Sequence, residues 1–295
     1  MSEIYERVVV PDLDRPVMVI GLEGWIDAGI GSANAMSAIL TGADAETVAA
    51  FDADRLLDHR ARRPIMHLHE GLITGLTWPA TELRAGLDES GNDLLLLVGA
   101  EPDFEWQAFG DSVVELALEL DCRMAVLLGA YPAPVPHTRE TRLALTTSST
   151  DLSDHMRGYV RGTLDVPAGI HAVLDLALNG SGIPTVGLWA QVPHYVASMP
   201  YPGASVALLD GLARVAGIDP SYGDLVAEAA ATRDRLDALV AENPQHQTMV
   251  HQLEEIADAD EDADLDTLLD GGELPTGDEL AAELQEFLRH QDDDT

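Results

Sequence analysis

The chain has 295 residues, 46% of them hydrophobic, and a formal net charge of −36. That length predicts one α/β core with an appendage, and that charge repels nucleic acid and anionic lipid, so neither is expected as a partner. All 16 basic residues are arginine, which excludes lysine Schiff-base chemistry and a P-loop, and the single Cys122 excludes an internal disulfide and thiolate zinc sites.

The first segment, "MSEIYERVVVPDLDRP", has no apolar stretch flanked by basic residues, unlike a signal peptide. No apolar run is long enough to span a membrane, so a cytoplasmic protein is expected. Residues 16–22 then read as a buried strand, and 31–42 as a small-residue helix ended by Gly42. Strands follow at 46–52 and 64–69, the second alternating and half-exposed. Residues 74–86 break the rhythm and read as a hairpin or edge strand. A fully apolar strand is predicted at 92–100, an amphipathic helix at 104–121, a second buried strand at 122–130 and a partner at 143–150. A helix at 169–182, a strand at 184–192 and a helix at 203–217 complete the pattern. Strands alternating with helices predict a mostly parallel sheet covered by helices. The Ala-rich helices 31–41 and 203–217 suit close packing, within the chain or between copies.

The character changes after residue 217. Residues 221–242 and 245–257 are helix-patterned, with Asn243-Pro244 as the break. Leu225, Leu236, Leu239, Val240, Val250, Leu253 and Ile256 are candidates for one apolar seam. Residues 254–295 hold 17 acidic residues and one arginine. Within them, 275–290 read as a last amphipathic helix, with Thr276 and Glu279 as a capping box. The expected divisions are a core at 1–217, a helical hairpin at 218–257, and an acidic linker with its terminal helix at 258–295.

Three loops that follow predicted strands carry the candidate chemistry. The turn after the first holds Gly24, Trp25, Asp27 and Gly29. It matches neither G-x-G-x-x-G nor G-K-[ST], and its acids Glu23 and Asp27 would repel phosphate. Its place at the carboxyl edge of a sheet is nonetheless where ligands bind in such folds. The second loop offers Glu101 and Asp103. The third offers His137, Thr138 and Arg139, an imidazole, a hydroxyl and a guanidinium suited to a carboxylate or phosphate. The competing structural reading pairs Arg139 with one of those carboxylates. No nucleophile elbow surrounds any serine, and no catalytic residue is assigned. "HLHE" at 67–70 places His67 and His69 on one strand face without a visible third ligand. The acidic run from Asp258 has Ala263 and Leu269 where a calcium loop needs Gly and Glu. No metal and no cofactor are expected.

The strings "LEGWIDAG" (22–29), "DRLLDHRARRP" (54–64), "LLLLVGAEPDFEW" (94–106), "PAPVPHTR" (132–139) and "VPHYVASMPYPGASVALLDGLA" (192–213) together resemble the proteasome assembly chaperone two family, closest to its bacterial branch. The resemblance covers roughly residues 5–257. It implies an α/β fold similar to nucleoside phosphorylases and related hydrolases, and a homo-oligomer with protein partners, proteasome subunits among them. The closing Asp-Asp-Asp-Thr differs from the hydrophobic-Tyr-any tail by which some members dock on proteasomes. The expected function is therefore a non-enzymatic protein-binding or assembly factor. The alternative is an enzyme or small-ligand binder using a phosphorylase-like pocket at the carboxyl edge, lined by Asp27, Glu101, His137 and Arg139.

Overall fold

A computed structural model describes residues 4–24, 26–155 and 165–259. In chain order the elements begin β1 (Tyr5–Arg7), β2 (Val17–Glu23), α1 (Gly31–Ala43), β3 (Glu46–Phe51), α2 (Ala53–Leu56), β4 (Ile65–His69) and β5 (Leu72–Thr77). They continue with β6 (Thr81–Leu87), β7 (Asp93–Ala100), α3 (Trp106–Glu119), β8 (Met124–Ala133), β9 (Leu143–Thr146) and α4 (Thr150–His155). Last come α5 (Ile170–Gly180), β10 (Thr185–Pro193), α6 (Pro202–Ala216), α7 (Leu225–Glu242) and α8 (Pro244–Ala259).

The four most apolar strands form a parallel centre in the order β7-β2-β8-β10. Their continuous hydrophobicity follows from burial on both faces, since successive side chains of a strand point to opposite sides. Val17, Val19, Leu94, Leu96, Val126 and Leu128 face one core with α1 and α6. Their neighbours Met18, Ile20, Leu95, Leu97, Ala125 and Leu127 face a second core with α3 and α5. Each such side chain contributes roughly 1.5–3 kcal/mol of burial, so the three layers hold one another. Antiparallel strands flank this centre: β6, β3 and β1 beyond β7, and β9 beyond β10. The mixed sheet thus has β1 and β9 at its edges.

The segment 74–86 divides differently from the sequence reading. Residues 74–77 end β5, whereas 81–86 enter β6, an interior strand between β3 and β7. Gly99 permits the close crossing, because a Cβ there would lie 2.0 Å from the Ala80 carbonyl oxygen. Among the described residues, strands β4 and β5 pair only with each other, as a separate two-stranded sheet. Glu70 and Gly71, with φ of 49° and 84°, make its two-residue turn. The half-exposed strand expected at 64–69 is exposed at every position of β4.

Gly42 does not end α1, which runs on to Ala43 and stops at Asp44 with φ 46°. Its role is packing: a Cβ at Gly42 would meet the Ser221 side chain at 2.4 Å. The small residues of α1 and α6 serve contact within the chain. A Cβ at Gly31 would lie 3.0 Å from Ala204 Cβ, and Ser205 Oγ donates to the Gly31 carbonyl at 2.8 Å. The Asn243-Pro244 break holds, with Asn243 extended between α7 and α8. Leu225 and Leu236 of α7 join the core formed with α1 and α6. Val250 and Leu253 of α8 are buried as expected, but Leu239 and Ile256 are exposed. The acidic linker and last amphipathic helix lie outside the described residues, save their first residues Asp258 and Ala259.

Candidate functional site at the carboxyl edge of the sheet

All three candidate loops leave the carboxyl ends of central strands, as the sequence implied. The first follows β2. Trp25 lies outside the described residues. Asp27 turns its carboxylate onto the start of α1, accepting from the Ser32 N–H at 2.7 Å and the Ala33 N–H at 3.0 Å. This satisfies two donors that the helix leaves unpaired. Burial pushes the Asp27 carboxyl above its usual range, against the hydrogen bonds that favour its anion. Gly29 adopts φ 65°, and a Cβ there would lie 2.7 Å from Tyr201 Cβ. Its N–H donates to Ala197 and its carbonyl accepts from Tyr201, both at 2.8 Å. The turn is thereby sewn to the segment after β10.

The second loop follows β7. Glu101 is buried, and its Oε1 accepts from the Ile170 N–H at 2.6 Å at the start of α5, where a negative charge suits the helix dipole. Gly24 makes room for it, since a Cβ there would lie 2.4 Å from Glu101 Oε2. Asp103 instead faces the 54–64 segment, taking Arg62 Nη1 and the Asp58 N–H, each at 2.7 Å.

The third loop follows β8 and runs under α7 and α8. The His137 side chain is fully covered. Tyr195 Oη accepts from the His137 N–H at 2.8 Å and lies 2.6 Å from Nδ1. With the Tyr195 proton given to Nδ1, a neutral imidazole carries its own proton on Nε2, 3.2 Å from Asp237 Oδ1 on α7. Burial lowers the His137 pKa, with Asp237 acting the other way. Burial raises that of Tyr195 well above the ordinary phenol range. Thr138 Oγ1 donates to Glu254 Oε1 at 2.5 Å. Arg139 grips Asp258 through two bonds of 2.7 Å and reaches Glu254 at 3.1 Å. Arg142 donates to the Ala257 carbonyl at 2.8 Å, and Arg233 of α7 to the Thr138 carbonyl at 2.7 Å. Beside Arg139, the carboxyls of Glu254 and Asp258 are held below their usual range, Glu254 mainly through Thr138.

The loops share an edge but not a cluster. Asp27 caps α1, Glu101 caps α5, Asp103 holds Arg62, and Arg139 turns to α8. The sequence reading that paired Arg139 with Glu101 or Asp103 is corrected by two acids four residues apart on one face of α8, Glu254 and Asp258. Tyr195, Asp237, Glu254 and Asp258 escaped that reading. The only signal for the last two was their spacing beside the buried Val250, Leu253 and Ala257. Leu22, Ile26, Glu101, His171 and Trp189 surround a cavity of about 20 Å³ at this edge, room for about one water. His67 and His69 stand on the exposed β4, His67 bonded to Thr77 Oγ1 at 2.7 Å. Among the described residues no group of three or more His, Cys, Asp or Glu is placed to hold a metal.

The chain is similar in structure to a Mycobacterium tuberculosis protein of unknown function, at 32% identity and TM-score 0.81, over 89% of this chain and 93% of that one. It is similar to a PAC2 family protein from Streptomyces avermitilis at 34% identity and TM-score 0.72, over 80% and 99%. It is also similar to a Mycobacterium tuberculosis proteasome-assembly chaperone homologue at 30% identity and TM-score 0.73, over 79% and 99%. No curated protein matches the sequence significantly. The model of the PAC2 family matches residues 21–240, a span that holds all three loops and most of α7, and the chain belongs to that family.

Proposed function

We propose that this protein is a non-enzymatic assembly factor that works through protein surfaces, with proteasome subunits as its partners, in the cytoplasm and as a homo-oligomer. One observation carries the reading. The polar groups that would have to greet a small ligand at the carboxyl edge are already committed to the protein's own backbone and helices: Asp27 to α1, Glu101 to α5, and Thr138 and Arg139 to α8. The similarity to a proteasome-assembly chaperone homologue supports the choice of partner. No described helix is long and apolar enough to cross a membrane.

The test is a pull-down of the full chain from its native host, read by mass spectrometry, together with proteasome maturation in a deletion strain. Proteasome subunits enriched above background, and slowed maturation, are expected. Normal maturation with no enriched subunit sinks the proposal.

A further inference from the structure

Among the described helices and strands, α8 packs substantially on α7 alone. Its buried side chains Val250, Leu253 and Ala257 belong to neither core. What ties it to the rest of the chain is the β8 loop, through polar contacts: Thr138 and Arg139 to Glu254, Arg139 to Asp258, and Arg142 to the Ala257 carbonyl. Asp27 and Glu101 differ, since each caps a helix whose apolar face lies in a core. An ion pair open to water, as Arg139–Asp258 is, contributes little, so α8 is a strap that opens at low cost.

The surface under the strap stands out in this chain. Acids outnumber bases 52 to 16, yet Arg139, Arg142 and Arg233 come together where the β8 loop meets α7 and α8. Guanidinium groups beside the Thr138 hydroxyl make a reader of carboxylates. Glu254 and Asp258 stand one turn apart on one face of α8, so the helix presents carboxylates in the form that this cluster takes. We propose that α8 is an internal stand-in for an acidic helix of a partner protein. Displaced from the β8 loop, it leaves a surface that receives two carboxylates one helical turn apart through Thr138, Arg139 and Arg142. The inference rests on the protein-binding part of the reading above and names the surface and the chemistry of the segment it receives. The partner helix competes with α8, which is tethered and so always at high local concentration. Weakening the grip on α8 therefore strengthens binding in trans.

Fluorescence anisotropy with the full chain tests it, the probe being a labelled peptide with the sequence of residues 244–259. Glu254→Arg with Asp258→Arg sets like charges against Arg139 and releases the strap. This released chain is expected to bind the probe at least about tenfold more tightly than wild type does. A probe carrying Glu254→Gln and Asp258→Asn should lose that gain, and so should the released chain with Arg139→Ala and Arg142→Ala added. Amide exchange gives an independent readout: residues 250–258 should exchange faster in the released chain, while Leu94–Leu97 of β7 stay protected and show the fold intact. Unchanged exchange at 250–258 overturns the strap. Faster exchange without tighter binding, or binding indifferent to the acids of the probe, overturns the carboxylate surface. None of these results bears on the proteasome pull-down, and a failed pull-down would leave them standing.

Discussion

The β8 loop and the β4–β5 hairpin both project from the carboxyl side of one sheet, and they are opposites. The loop is polar and saturated: Thr138, Arg139 and Arg142 all reach partners on α8, and His137 is sealed against Tyr195. The hairpin is apolar and exposed at every position but Gly75. Sequence position alone would have put function at the loop, because charged residues after a strand end are the usual mark of a site. Here the charges are consumed by the fold, while the exposed side chains of the hairpin are largely hydrophobic. Substitutions on the exposed hairpin should leave the stability of the protomer nearly unchanged. Disrupting the loop should act on stability.

His137 is the deepest point of the loop, so its removal should cost most there. His137→Ala leaves a cavity and strips the hydroxyl of the half-buried Tyr195 of a partner, for an expected loss of about 3 kcal/mol. Urea denaturation read by circular dichroism checks it. Tyr195→Phe keeps the volume and loses the hydroxyl that receives the His137 N–H, so about 1–2 kcal/mol is expected. A pair of silent substitutions would mean that the loop is not locked, and would reopen it as a ligand site.

Acid should lower the stability of the fold as a whole. Burial lowers the pKa of His137, His171 and His194, that of His171 to about 4. Each stays neutral in the folded chain but takes a proton near pH 6.5 once unfolded. As pH falls below about 6.5 the unfolded state therefore binds more protons, and stability declines, for His171 until about pH 4. Glu254 and Asp258, held low, add a further loss as pH falls through the carboxylate range. Asp27, held high, acts in the opposite direction. The denaturation midpoint should fall steadily between pH 7 and pH 4.5, and His171→Phe should flatten that slope. An unchanged slope in the variant would place the titration elsewhere.

What the sequence disclosed follows from where the information lay. The parallel centre was legible because burial on both faces writes itself as runs such as Leu94–Leu97. The α7–α8 break was legible because proline bars the residue before it from helical geometry. The loops were legible as places, but not as partnerships. Arg139 and Glu254 stand 115 positions apart, and no local pattern encodes which acid folds back on which base. Residues 74–86 misled for a related reason: a strand inside a mixed sheet and a strand in a free hairpin share the same short alternating pattern, and only pairing separates them.

The smallest effect expected is also the one that separates a locked loop from an ion pair of convenience. Arg139 and Asp258 are well exposed, and surface pairs of this kind contribute little. What favours this pair is its geometry, a bidentate grip with Glu254 as a third member, which fixes the guanidinium once for two acids. Arg139→Ala should therefore lower the thermal midpoint only slightly, and the difference from wild type should shrink as salt screens the pair. Its clearer signature is local. Amide exchange should quicken at the end of α8, around residues 254–258, and stay unchanged at 65–77 in the hairpin. Faster exchange in both segments would show the two regions coupled through the edge of the sheet, and the contrast between them would no longer hold.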